Sequence, residues 1–477
     1  MTTWHMYEAK VHGLALGRGA HTLCRSHTRS PTSPANGLRG RSFFAVVRFW
    51  IMRDSKWRTV LGFGAGAVAL GVLSLLTACG SDAATSTGAG ASGASNVGQS
   101  GSSTVEASGA SSGGQAGSGS TVTGSAGTAA RTAAGNPDGA CSAGIPASGQ
   151  LANSSNPTTV VGSGNEASCS FDALKAAVSQ GGVITFDCGE APVTLAVSAT
   201  LNLPTNKNTV IDGGNKITLD GGKAVQILRF DSANFQANES VLTLQRIALQ
   251  NGKATPTEAI PAAPAPCSQG WNDGEGGALY MRDGNLIVID AIFSNNHAAP
   301  LGPDTGGGAI YIVGSKHGAL IVGSTFKDNS ASNAGGLGGL FSTLAIYNSL
   351  FTGNQATGHD ANNNEPDKCS AMNNGQNETG SGGNGGPIYS DGNSVDVTLC
   401  GDQITNNSAG TKAFGGGLFF TSNNMMGVLT ITDTTITGNT GGSWTNVATG
   451  TVKNVGTAIG VNAKSISVTN STLQGYP

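Results

Sequence analysis

From residue 183 onward the chain is written in short runs in which apolar and polar positions alternate: Val183–Phe186, Val193–Val197, Asn208–Gly213, Lys216–Gly221 and Val241–Leu249, closed by Gly, Asn or Asp. Period-two alternation in β-branched and aliphatic residues, punctuated by turn formers, predicts strand and turn throughout. One segment departs from it. Ser170–Gln180 carries Phe171, Leu174, Ala177 and Val178 at helical spacing, with Asp172 in its first turn and Gly181-Gly182 behind it. The pattern predicts an all-β chain entered through one amphipathic helix that caps the open end of a stack of strands.

The strands recur as a unit. Gly276-Gly277, Gly307-Gly308, Gly338-Gly339, Gly385-Gly386 and Gly416-Gly417 follow one another at 31, 31, 47 and 31 residues, so one copy carries a 16-residue insertion. A second marker follows, an apolar residue three positions before an asparagine: Phe293/Asn296, Phe326/Asn329, Phe351/Asn354, Ile404/Asn407 and Ile436/Asn439. Such a period predicts stacked units sharing a core that none could bury alone. The glycines would supply positive φ and close rung-on-rung approach, with Leu279, Ile310, Ile388 and Phe419 pointing into the core. The asparagines would form an internal ladder on turn backbone. Tyr280, Tyr311, Tyr389 and Phe420 would make an aligned packing stripe.

These markers resemble the GGA[ILV] and FxxN repeats of the polymorphic outer-membrane protein family and, more broadly, the pectin-lyase-like right-handed parallel β-helix. The entry segment from Cys169 through Gly181–Gly189 to Thr209–Gly214 is similar to the start of many bacterial β-helix proteins. The likeness spans about Ser168 to Gly460 and implies a right-handed parallel β-helix; it is specific for fold and poor for activity. The named family ends in a membrane β-barrel, whereas about 20 residues follow the last repeat here, so a lipid anchor is expected to replace the barrel.

That expectation rests on the first part of the chain. Residues 1–51 hold seven Lys/Arg against Glu8 alone and no apolar period, and read as an upstream extension outside the working protein. Residues 52–79 then give Arg53, Lys56 and Arg58, an apolar run Thr59–Leu75, and Leu76-Thr77-Ala78-Cys79, the layout of a secretory signal. The run is shorter than the ~20 residues a bilayer-spanning helix needs. Its end resembles the bacterial lipobox, which implies lipidation of Cys79, and Gly80-Ser81 in place of an aspartate implies transfer to the outer membrane. Residues 80–136, almost wholly Gly, Ser, Ala and Thr, read as a tether that reaches roughly 40 Å. Residues 137–477 are the predicted β-helix domain.

Charge narrows the partners. From Gly80 onward Lys+Arg is 15 and Asp+Glu 26, near −11, which excludes the basic face a nucleic acid needs. A surface rich in Asn, Thr, Ser and Gly suits a neutral extracellular polysaccharide and equally suits plain solvation; a monomer is expected. Six cysteines follow Cys79, and beyond an export signal they read as up to three disulfides with fifteen pairings. Cys169–Cys188 is favoured, clipping helix to first strand, and Cys267–Cys369, both in long insertions, comes second. Their spacing lacks a zinc pattern.

Every large insertion falls between an asparagine marker and the next Gly-Gly, so these turns should emerge on one flank and enclose a trough. Trp271, Asp273 and Glu275 would stand at its first wall, His297 and Asp304 on its floor, and His359, Asp360, Glu365, Asp367 and Glu378 in its second wall. Rungs ~4.8 Å apart could set Glu275 and Asp304 at the ~5–5.5 Å of a retaining glycosidase, or Asp273 or Glu275 with a second-wall acid at the ~6.5–9.5 Å of an inverting one. Trp271 would offer an apolar plane to a sugar, and His297, His359, Asp360 and Arg282 would bind substrate. Asp and Asn are favoured in any turn, which is the competing structural account of these acids. The Asp-Asp pair and Gly-His-Gly of polygalacturonase-like hydrolases are missing; Gly358-His359-Asp360 is the nearest text, and of Arg229, Arg246 and Arg282 only the last follows a variable turn, where a pectate lyase needs an arginine base. No cofactor is expected, although oxygen ligands in 360–367 suit calcium. The leading expectation is a surface-anchored glycoside hydrolase, of endo-glucanase type, cutting a neutral cell-wall glucan. A non-catalytic adhesin is the alternative and a polysaccharide lyase the third reading.

Overall fold

The structure is a computed structural model that describes residues 47–53, 56–62, 133–258, 273–359, 382–442, 453–455 and 457–475. Cys79, Cys267, Trp271, Asp360, Glu365, Asp367, Cys369 and Glu378 lie outside the described residues. In the N-terminal unit, Val47–Arg53 pairs antiparallel with Lys56–Gly62, across the expected boundary between extension and signal.

The second unit is an all-β parallel solenoid with three strands per rung. One rung is Leu279–Arg282 on the first face, Asn285–Ile289 on the second and Ile292–Ser294 on the third. The next, Ile310–Val313, Ala319–Val322 and Thr325–Lys327, pairs with it in parallel and in register on all three faces. The pairing continues to Ile459–Asn462, Ser465–Thr469 and Thr472–Leu473. In the early rungs Thr209–Asp220 and Val241–Gln250 each run through the second and third faces, with an irregularity between Asp212 and Ile217.

Single residues in the left-handed region make the corners. Asp290, Gly323, Asn348, Gly401, Asp433 and Asn470 turn second face into third at φ between 48° and 72°. Asx and glycine are the residues that adopt this conformation most readily, which is why such short corners are written with them. Alternate side chains then point inward. Phe293, Phe326 and Phe351 stack at 4.9 and 4.5 Å with no exposure.

The asparagine ladder forms as expected and is continuous. Asn296 Nδ2 donates to Asn329 Oδ1 (3.0 Å), Asn329 to Asn354 (2.9 Å), Asn354 to Asn407 (3.0 Å) and Asn407 to Asn439 (2.9 Å). Each amide also donates to a strand carbonyl of the rung below, and each Oδ1 accepts a backbone N–H from that side. Gly252 N opens the ladder on Asn296 and Gln474 Oε1 closes it on Asn439 N. A second ladder carries no sequence repeat: Ser324, Ser349, Asp402, Thr434 and Ser471 each accept a backbone N–H from the preceding rung.

Register corrects two of the five glycine markers. Tyr311 and Ile312 pair with Gly338 and Gly339, so that doublet lies inside a strand, and the true corner is Ala334-Gly335, with Ala334 at φ 45°. Tyr389 pairs with Phe419, which makes the fifth corner Gly415-Gly416. The core residue there is Leu418, and Phe419, expected inside, joins the tyrosines outside while Phe420 takes the core.

The helix Phe171–Gln180 is capped by Ser170 Oγ on Ala173 N and ends at Gly181 with φ 70°. It buries Leu174, Ala177 and Val178 and lies against Thr159–Val161 and Leu201–Asn202. Cys169 and Cys188 are joined beside it.

The chain before the helix works as a strap, and its bonds begin at Gly135, ahead of the expected domain start. Gly135 N bonds Thr325 Oγ1, Asn136 bonds Asn348 O and Gly401 O, Cys141 N bonds Asn348 Oδ1, and Ser142 N bonds Asp433 Oδ2. It then returns to early rungs, where Ala152 N meets Gln245 Oε1 and Ser154 Oγ meets Asp212 Oδ2. Cys141–Cys400 locks it across a separation of 259 residues. Opening so long a loop is expected to lower stability by about 2–5 kcal/mol. Cys141→Ser should therefore reduce the melting temperature and expose 135–152 to proteolysis while the later rungs keep their exchange protection; an unchanged melt would show the strap to be held by its hydrogen bonds alone.

Candidate functional site

The described beginnings of the turns expected on one flank stack there. Lys253, His297 and Ser330 are bridged in parallel, as are Gln355, Ser408 and Thr440, and Ser330–Ala331 pairs with Gln355–Ala356. They lead into the first face, whose outward side chains form two columns fixed by register. The inner column is Arg229, Tyr280, Tyr311, Gly338, Tyr389 and Phe419, and the outer is Asp231, Arg282, Val313, Leu340 and Asp391. Alternation sets both columns away from the core, yet Tyr311 and Tyr389 have no exposure.

Aromatic rings stack along the inner column, Tyr280 on Tyr311 at 6.5 Å and Tyr389 on Phe419 at 5.3 Å, with the Arg229 guanidinium 4.4 Å from the Tyr280 centroid. Gly338 interrupts the column, and a Cβ there would meet Tyr311 Cδ2 at 2.8 Å. The missing side chain lets tyrosines two rungs apart lean to a common point, which is Asp304. Tyr311 Oη donates to the Asp304 carbonyl. Tyr389 Oη stands 3.4 Å from Asp304 Oδ1 and donates to Asp391 Oδ2 at 3.0 Å. Asn423 Nδ2 holds the other Asp391 oxygen at 2.8 Å. The turn carrying Asp304 is seated by Asn333 Nδ2 on the carbonyls of Pro303 and Thr305.

Burial sets the electrostatics. It pushes Glu275 up to about 8, with the nearby Asp273 charge adding to the rise, and Glu275 Oε1 is buried with no hydrogen-bond partner among the described residues. It raises Asp391 to about 6 against the bonds from Tyr389 and Asn423. Tyr311 and Tyr389 are driven well above the usual phenol range, first by burial and then by neighbouring carboxylates.

The other expected site residues fall as follows. Glu275 immediately precedes the corner Gly276, and its backbone O accepts from Gln226 Nε2. No bond joins it to Asp304; their shared neighbour is Tyr311. Asp273 is a loop lock, accepting from Thr257 N, Thr257 Oγ1 and Glu258 N at 2.7, 2.9 and 3.0 Å. His297 Nδ1 meets Ser330 Oγ at 2.7 Å, and burial with Lys223 and Lys253 lowers its pKa. Arg282 is buried with Nη1 on Ser232 O, and His359 bridges Thr411. Asp391 and Tyr389 were the missed partners. The signal for them was their i, i+2 spacing on one strand, which puts both on one face.

Two depressions of about 270 and 790 Å³ lie on the first rungs, away from the tyrosines. The first contains Arg246 and Asp212, which bind each other, and Asp212 also accepts from Ser154 and Gln245, so its polar groups are already used. Among the described residues no group of three His, Cys, Asp or Glu is placed to hold a metal. No protein-family profile, no curated protein and no solved structure matches the chain.

Proposed function

We propose that this chain is a lipid-anchored, outer-membrane surface protein whose right-handed parallel β-helix, capped by Phe171–Gln180, binds a neutral extracellular polysaccharide over the first face, where Asp391 is only half-buried. There it hydrolyses the chain with paired carboxyls, of which Asp304 is one. The supporting observation is the Glu275 carboxyl: buried, raised to about 8, and with one oxygen lacking a partner among the described residues. A buried polar atom without a partner loses free energy that an incoming donor restores. A sugar hydroxyl is such a donor. An excess of acids disfavours a polyanionic substrate. The anchor at Cys79 and the tether at 80–136 would hold the domain within reach of a cell wall.

Full-length protein incubated with a panel of neutral glucans should release reducing ends, and Asp304→Asn should reduce that rate at least ~100-fold, the scale of acid–base catalysis. Unsaturated products absorbing in the ultraviolet would point to a lyase and overturn hydrolysis. A non-catalytic adhesin is the second reading, favoured by the use of Asp273, His297 and Arg282 in scaffold bonds. Retention on immobilised glucan without product would establish it.

A further inference from the structure

We infer that the second member of the carboxyl pair is Asp391, and that the Tyr389 hydroxyl positions it against Asp304. The inference rests on the hydrolytic reading of the same face. Two oxygens at 3.0 and 3.4 Å from one phenol oxygen are at most roughly 6.4 Å apart. The bridging hydroxyl has one proton and gives it to Asp391, so it fixes which carboxyl of the two carries more negative charge.

Exposure separates their roles. Asp304 is 8% exposed, whereas Asp391 is only half-buried and is the member open to a ligand. Asp391 faces Tyr389 on its own strand, Asp304 and Tyr311 from two rungs below, and Asn423 from the rung above. Glu275 belongs to the rung of Tyr280, three rungs from the strand of Asp391. At ~4.8 Å per rung that is about 14 Å, beyond either glycosidase spacing. Its orphan oxygen on the same row of tyrosines is then a binding contact for a sugar hydroxyl in a neighbouring subsite, not the proton donor.

In the step itself, Asp304 in its acid form gives its proton to the glycosidic oxygen as the bond from that oxygen to the anomeric carbon breaks. The Asp391 carboxylate, held by the Tyr389 hydroxyl, bonds to that carbon. Water then adds its hydroxyl to the carbon, releases Asp391, and returns a proton to Asp304. Atoms and charge balance with water as the only co-reactant.

The test compares three variants of the full-length protein on whichever glucan the wild type cuts. Asp391→Asn should lower kcat at least 100-fold with KM within threefold. Tyr389→Phe, which keeps the ring stack, should lower kcat about tenfold, while Glu275→Gln should raise KM and spare kcat. Loss of kcat in Glu275→Gln with Asp391→Asn fully active would overturn the assignment and leave hydrolysis standing. If the wild type cuts nothing, the hydrolytic reading fails, and carbon NMR of aspartate-labelled protein decides the pairing separately. Asp391 should titrate in two coupled steps that merge into one in Asp304→Asn and shift in Tyr389→Phe. A single step unchanged in both variants would overturn the pair.

Discussion

Asn354→Ala is expected to lower the stability of the solenoid by about 3–5 kcal/mol, because it removes five side-chain hydrogen bonds, three of them to partners that have nowhere else to turn. Asn329 N and Asn329 Nδ2 both donate to Asn354 Oδ1, and Phe326 O accepts from Asn354 Nδ2. All sit where Asn329 and Asn354 have no exposure, so water cannot replace the lost partner without opening a rung. A buried unmade bond costs about 1–3 kcal/mol, and the void adds to it. In a solenoid each rung contacts only its neighbours, so the damage should be local in place and large in size. Hydrogen exchange should quicken most at the Asn329 amide, and equilibrium denaturation should show the loss. Asn439→Ala breaks a similar set of bonds to Asn407, but next to the final rung, which can fray, and should cost less. A loss below about 1 kcal/mol for Asn354→Ala would mean that strand pairing alone holds the rungs together.

What the sequence made legible was whatever repeats with an invariant side chain. The FxxN marker could be read because each asparagine fills the same internal position, and the phenylalanines stack one residue type on another. The Gly-Gly marker misled where the corner tolerates a substitute. Ala334 occupies the left-handed region that Gly307 and Gly385 occupy in their rungs, so the visible doublet Gly338-Gly339 drew the alignment into the strand. The hydroxyl ladder was hidden for the same reason, since Ser, Thr and Asp all accept an N–H there. The convergence of Asp304 on Tyr389 and Asp391 was not legible. Asp304 and Tyr389 are 85 residues apart, and they converge through the absence of a side chain at Gly338, for which alternation and spacing offer no sign. The flank on which the turns stack was legible; the side chains that meet there were set by how a loop folds back on it.

Asp402→Ser is expected to stabilise the protein at neutral and alkaline pH, the reverse of most substitutions of a fully buried residue. Asp402 occupies a position where the other rungs use Ser324, Ser349, Thr434 and Ser471. It accepts from Ser349 N at 2.8 Å and Cys400 N at 3.0 Å, but burial dominates and lifts its pKa to about 8. In the unfolded chain an aspartate titrates near ~3.9. Between these values the folded state keeps a proton that the unfolded state has released, so this residue's contribution to stability is greatest below about pH 4, falls as pH rises toward 8, and levels off above. A hydroxyl at this position keeps the bond from Ser349 N and has no charge to desolvate. It loses the bond from Cys400 N, which returns about 1–3 kcal/mol of the gain. The net at pH 8 should be an increase of about 1–3 kcal/mol, with the downward slope between pH 4 and 8 reduced by roughly one proton. Urea denaturation of the two proteins across that range measures both quantities. A variant that is less stable at pH 8 and keeps the full slope would mean that Asp402 is ionised in the fold and earns its place through its two N–H bonds.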